Sequence, residues 1–161
     1  MFCKRRYSNS GKFFQLNDGA AAVVVMSKEK AEELGVTPKV KIEGYAIAGF
    51  DAELMGYSPK ISSEKLADKL GLDLKSIDMF EINEAFASQA YAVSRDLGLD
   101  PEKVNIYGGG ISIGHPIGAT GAMLTVKVMY ELMRTDKKDA MISMCIGGGQ
   151  GISMYFTKCE A

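Results

Sequence analysis

Three short segments of the 161-residue chain gather side chains that could do chemistry. The first is Asn83-Glu84-Ala85-Phe86-Ala87. An asparagine before a helical stretch caps it, because its side-chain oxygen accepts from an orphan N–H. The same amide at the carboxyl edge of a sheet can hold a water or a substrate oxygen, since open α/β sheets bind ligands there. The second runs from Gly108-Gly109-Gly110 to Gly114-His115-Pro116-Ile117-Gly118-Ala119-Thr120-Gly121 and contains the sole histidine, His115. A lone histidine is either a structural side chain or a proton carrier near neutral pH. Small neighbours leave room for a substrate beside this one. The glycines also suggest a phosphate cradle, but neither GxGxxG spacing nor a following GK[ST] is present. The third is Cys145-Ile146-Gly147-Gly148-Gly149-Gln150-Gly151. A cysteine ending a buried strand can be an inert small hydrophobe. Followed by glycines whose N–H groups can turn toward an oxyanion, it suits proton transfer or nucleophilic attack.

The elements that must position these segments alternate between strand and helix. Ala20–Met26 is a short apolar, β-branched run and predicts a buried strand. Ser27 caps a helix over Lys28–Leu34 that stops at Gly35. Val40–Phe50 predicts a longer strand with Gly44 and Gly49 as candidate bulges. A helix opened near Pro59 and Ser62 or Ser63 runs to Leu70 and is closed by Gly71. Met79–Ile82 is a brief strand, and Asn83 is the expected N-cap of a helix from Glu84 to about Leu97. Val104–Tyr107 is the next strand. Pro116 opens a helix to about Arg134 that is apolar nearly all round and therefore buried. Met141–Cys145 and Ile152–Thr157 close the chain as a hairpin. Such alternation predicts an α/β domain, a mixed sheet with helices on both faces.

Composition narrows the function classes. With 47% hydrophobic and 24% charged residues the chain has the make-up of a soluble globular domain, and a cytoplasmic location is the expectation. A net charge of −1 without a basic stripe argues against nucleic acid as a partner. No apolar run is long enough to span a bilayer, so no membrane partner is expected. The three cysteines, Cys3, Cys145 and Cys159, show no CxxC metal spacing, so no metal is expected and reduced thiols are.

Taken together and in order, NEAFA, GGGISIGHPIGATGA and CIGGGQG resemble the thiolase family, the acetyl-CoA C-acyltransferases. Asn17-Asp18-Gly19-Ala20-Ala21-Ala22 and Met55-Gly56 extend the likeness, which runs from about Leu16 to the carboxyl terminus. The resemblance implies Claisen chemistry on coenzyme A thioesters, used as substrates, with no tightly bound cofactor. It implies that His115 activates a nucleophilic cysteine and lines a first oxyanion hole. Asn83 would fix the water completing that hole. Cys145 would remove the α-proton of the incoming acetyl group, and the Gly147 N–H would serve a second oxyanion hole. Ketoacyl synthases share the fold but place a second histidine or an asparagine where this chain has Cys145.

The chain is about half a thiolase in length, and the family's nucleophilic cysteine has no counterpart here. Neither Cys3 nor Cys159 sits in a glycine-rich helix start. Residues 1–15 lie outside the resemblance and 16–161 form the thiolase-like domain. The family has a segment like GTVTAGNSSG before Asn17. Plausible codons for Arg6–Phe14, read one base later, give Gly-Thr-Val-Thr-Ala-Glu-Asn-Ser-Ser, which suggests a frameshift near Gln15. Two expectations follow. Either the chain is the carboxyl half of an enzyme, inactive alone and working with an amino-terminal half, or it is a non-catalytic remnant of a disrupted gene that only folds and self-associates. In both, acyl-CoA is the family's small-molecule partner, binding is weak without the other half, and apolar surface left over favours a homo-oligomer.

Overall fold

A computed structural model describes residue 15 and residues 17–159, so Cys3 and the stretch assigned to a frameshift lie outside the described residues. The centre is a four-stranded mixed sheet in the order β1 (Val40–Gly49), β4 (Gln150–Lys158), β3 (Asp139–Gly147), β2 (Phe80–Ile82). β1 and β3 each pair antiparallel with β4, while β2 runs parallel to β3 with Ile82 opposite Ser143. Strand register in β1 slips between Ile42 and Gly44, the bulge expected at that glycine.

Alternation along the strands builds two cores. Met141 and Tyr155 point to one face, where they join Leu66 of α2 (Ser58–Leu70) and Val93 of α3 (Ala87–Asp96). Ala140, Ile142 and Phe156 point to the other, against Leu124, Val128 and Leu132 of α5 (Thr120–Arg134). Burying one such side chain contributes about 1.5–3 kcal/mol, against at most about 1 for an exposed ion pair. The two clusters, and not the surface pairs such as Lys28–Glu32, therefore hold the helices to the sheet. The predicted mixed sheet with helices on both faces is what forms.

Several expectations are corrected. Ala20–Met26 joins no strand, and Val24 is 85% exposed. Its β-branched run has the chemistry of a buried strand but pairs with no strand among the described residues. The short helix α1 (Lys28–Glu33) forms as read, with the Ser27 hydroxyl accepting from the Lys30 N–H at 3.2 Å. Asn83 is not a helix cap. α3 begins at Ala87, and the Gln89 side chain accepts from the Phe86 N–H at 3.4 Å. Val104–Tyr107 makes only one bridge, Val104 to Phe80, because Asn105 takes a positive φ of 48°. Its amide then replaces a strand partner: Oδ1 accepts from the Ile82 N–H and Nδ2 donates to the Ile82 carbonyl, at 2.8 and 2.9 Å. A helical turn, α4 (Gly110–Ile113), forms inside the glycine segment. α5 begins at Thr120, four residues past Pro116, and buries one face only; Tyr130 and Met133 on it are exposed.

Candidate functional site

The parallel pairing of β2 and β3 decides where the chemistry gathers. Both strands run out at the same sheet edge, and the Asn83 N–H extends their ladder by donating to the Ser143 carbonyl at 2.9 Å. Asn83 is 2% exposed, and its amide nitrogen lies 3.3 Å from His115 Nε2. His115 arrives on the loop between α4 and α5 and is itself buried. Its other ring nitrogen, Nδ1, lies 2.5 Å from the Thr120 hydroxyl. That hydroxyl donates its one proton to the Pro116 carbonyl at 3.0 Å, so toward the imidazole it can only accept. With the hydroxyl proton on that carbonyl, the arrangement favours the Nδ1–H tautomer of neutral His115, in which Nε2 offers its lone pair toward the Asn83 N–H. Burial also holds the imidazole below its ordinary pKa, which keeps it neutral and basic at physiological pH. A neutral imidazole beside an amide donor can take a proton from a thiol or help hold an oxyanion.

The loop carrying His115 is fastened at three points. Asn17 Oδ1 accepts from the His115 backbone N–H at 2.7 Å. Glu84 accepts from the Ile111 N–H at 3.1 Å and from Asn105 Nδ2 at 2.9 Å. Gly109 lets the loop pass close to the Glu84 carboxyl; a Cβ there would push that side chain off the two donors it holds. Lys127 of α5 donates to the Gly108 carbonyl and, at 2.7 Å, to Glu81 on β2. Between these fasteners a cavity of about 300 Å³ opens, lined by Ala20, Ala21, Asn83, Gly110, Thr120 and Lys127 among others.

Cys145 and Gly147 reach the same edge on β3. Cys145 is half-buried and free, opposite Gly151 on β4. Burial pushes its thiol above the ordinary value, so it is the protonated form that rests here. Gly147 has a φ of +102°, and no atom lies within 4 Å of where a Cβ would stand. A side chain at that position would meet open space. Of the four residues singled out in the sequence, His115 and Asn83 are in direct contact, while Cys145 and Gly147 share their sheet edge without lining the cavity beside them. Among the described residues no cluster of His, Cys, Asp and Glu has the arrangement of a metal site, and no helix is long and apolar enough to cross a membrane.

Sequence reasoning gave no role to Thr120, Asn17 or the Glu81–Lys127 pair. Glu81 did leave a trace, a carboxylate in the otherwise apolar strand Met79-Phe80-Glu81-Ile82.

Comparison with known proteins places the fold in a family. Residues 36–158 match the family described as thiolase, C-terminal domain. The chain belongs to the thiolase family. It is 48% identical over 149 residues to a beta-ketothiolase of Cupriavidus necator and 45% identical over 150 residues to a 3-ketoacyl-CoA thiolase of Bacillus subtilis. These alignments cover 92% and 93% of the chain and 38% of each relative. The crystal structure of the Bacillus anthracis acetyl-CoA acetyltransferase superposes with a TM-score of 0.91 at 44% identity, covering 93% of this chain and 38% of that one. The chain thus spans well under half the length of the thiolases it matches, and the thiolase C-terminal domain accounts for its fold. The run Ala20–Met26 lies before the residues that match the domain.

Proposed function

We propose that this thiolase domain supplies the acid/base and oxyanion part of a Claisen active site acting on acyl-CoA thioesters, and that the 161 residues alone do not turn over. The observation that carries the reading is the placement of His115, with Nδ1 2.5 Å from the Thr120 hydroxyl and Nε2 3.3 Å from the Asn83 amide nitrogen. In the reaction His115 Nε2 takes the proton of a nucleophilic cysteine contributed from outside these residues. The thiolate attacks the ketoacyl carbonyl, and the resulting oxyanion is met by His115, now protonated, and by a water held on Asn83. In the condensing direction Cys145 removes the α-proton of acetyl-CoA, and the enolate oxygen faces the Gly147 N–H. The resting Cys145 is protonated by burial, so it needs a further group to become that base. The domain carries no resident cofactor in this reading; coenzyme A enters as part of the substrate.

Association belongs to the same proposal. Tyr45 and Ile47 on β1, Tyr130 and Met133 on α5, and Val24 and Val25 before α1 are large apolar side chains left exposed. A surface of that kind favours pairing with an amino-terminal thiolase half or with a second copy. The test is thiolysis of acetoacetyl-CoA, followed by loss of its enolate absorbance, by the purified chain with and without the amino-terminal part of the Bacillus subtilis relative. No turnover alone and turnover on mixing, abolished by His115→Ala, is the expected result. Turnover by the chain alone that disappears in Cys145→Ala would overturn it.

A further inference from the structure

Glu81 is fully buried, yet it is a carboxylate inside a three-residue strand with no part in the proton transfers above. Burying such a charge costs several kcal/mol unless a partner offsets it, and exchange of a buried ion pair for apolar residues is often neutral or stabilising. Stability alone is a poor reason for it to be there. Desolvation lifts the Glu81 carboxyl to about 7 against the pull of Lys127, and Glu84 and Glu131 push the same way. One oxygen, Oε1, has no hydrogen-bond partner.

Placement supplies a better reason. Glu81 and Asn83 are two residues apart on one strand line, hence on the same face and about 6.6 Å apart along it. Thr120 and Lys127 are seven residues apart on α5, two turns, hence on one helix face and about 10 Å apart. Two rungs therefore join the same two elements. The outer rung is Asn83–His115–Thr120, with the imidazole between strand and helix. The inner rung is Glu81–Lys127. Lys127 is also bonded to the Gly108 carbonyl, where the loop to His115 begins its bend at a φ of +84°. The inner rung thus fixes both the spacing of β2 from α5 and the root of the loop that carries the imidazole. Both ends of the outer rung stand on what the inner rung holds.

We infer that Lys127, through Glu81 and the Gly108 carbonyl, is a positioning residue that sets the Asn83–His115–Thr120 alignment. The inference rests on the reading of His115 as the proton acceptor of the site, but its test does not use turnover. Because His115 is the sole histidine, nitrogen NMR of the ¹⁵N-labelled chain reports its tautomer and titration without assignment. In the native chain the two ring nitrogens are expected to give the separated shifts of an Nδ1–H tautomer. Lys127→Met is expected to collapse that separation toward tautomer exchange, and Lys127→Arg to restore it. The double variant Glu81→Leu, Lys127→Met removes both charges together, so a collapse retained there is positional and not Coulombic. A folded Lys127→Met with native ring-nitrogen shifts would overturn the inference, as would a double variant in which they return to native. Should Lys127→Met alone fail to fold, the double variant, which leaves no buried charge unpaired, decides instead, and native ring-nitrogen shifts in it count against the inference. Failure of the thiolysis test would leave these shifts, and therefore this inference, standing or falling separately.

Discussion

The two sides of the sheet edge differ in how completely they are built. On the β2 side His115 is held at both ring nitrogens and at its backbone N–H, and the loop beneath it is fastened to Glu84 and Lys127. On the β3 side Cys145 rests as a protonated, half-buried thiol, Ile146 is 54% exposed, and Gly147 faces open space. One half of the site is preorganised by groups within the domain. The other presents its donors to whatever packs or binds there. Preorganisation counts most where charge develops, because dipoles already aligned need no reorganisation during reaction. On the proposed function, the β2 side would serve as an oxyanion and base site in its resting form, and the β3 side would be completed on assembly.

The largest expected effect breaks the comparison on activity. In the chain mixed with an amino-terminal thiolase half, His115→Ala and Cys145→Ala should each lower kcat for thiolysis by about a thousandfold or more, as loss of a proton-transfer group in a concerted unit does. If the Cys145 variant loses less than about tenfold, that side is a scaffold and the proton is carried elsewhere.

The next effect is on stability and concerns the inner rung. Glu81 is lifted from 4.5 to about 7 in the folded chain. Between those values the folded state binds the proton that the unfolded chain has released, so stability falls as pH rises from 4.5 to 7. Full ionisation costs about 3 kcal/mol at 1.36 per pH unit. Glu81→Gln removes that slope. Urea unfolding of both proteins across this range should show the variant gaining on the native chain by about that amount. A constant difference would mean that Glu81 ionises without penalty. His115 acts with the opposite sign: its pKa is depressed below 6.5, so stability is lost as pH falls through 6.5.

A smaller effect probes the open side. With Cys3 and Cys159 replaced by serine, Cys145 should react with iodoacetamide more slowly than free cysteine at pH 8. The rate should still climb as pH passes 9.0, because burial favours the thiol. Addition of the amino-terminal half should accelerate it if assembly completes this side. A rate equal to that of free cysteine in the isolated chain would show a thiol already poised.

How much of this could be read from the chain depends on whether the deciding contact is local. The hairpin, α2 and its Gly71 stop, and the bulge at Gly44 follow from periodicity and turn chemistry, and all form. Asn83 was read as either a cap or a ligand holder, and the ladder bond to Ser143, set by β3 some sixty positions away, decides against the cap. Ala20–Met26 has strand chemistry, but a strand needs a neighbour, and composition does not say whether one is present. Val104–Tyr107 fails as a strand because the Asn105 side chain takes the place of a backbone partner, which no propensity encodes. The family motifs single out His115 and Asn83, which the fold brings into contact; the inner rung left no such motif, since its two members come from separate elements.

The smallest effect tests the tautomer, and with it the claim that the β2 side is finished. Thr120→Val keeps the shape of the side chain and removes the acceptor for the Nδ1 proton. Two outcomes compete inside a buried site. The proton can stay on Nδ1 without a partner, which costs about 1–3 kcal/mol for an orphaned donor. Alternatively it can move to Nε2, where it meets the N–H of Asn83 and forces that amide to turn over. The turned amide would point its nitrogen toward Gly110 and the Glu84 backbone, where the Asn83 oxygen now lies close to the glycine. The second path relieves the orphan at the expense of a worse fit, so the net loss should be about 1 kcal/mol. It should also carry a signature that the first lacks: the NMR shifts of the two ring nitrogens exchange character, with Nε2 becoming the protonated one. Stability measured by thermal unfolding at pH 7.5, with the ring-nitrogen shifts read in the same buffer, separates these cases. Unchanged shifts with no loss of stability would mean that the Thr120 hydroxyl is not the acceptor that fixes His115, and that the β2 side is no more preorganised than the thiol across the edge.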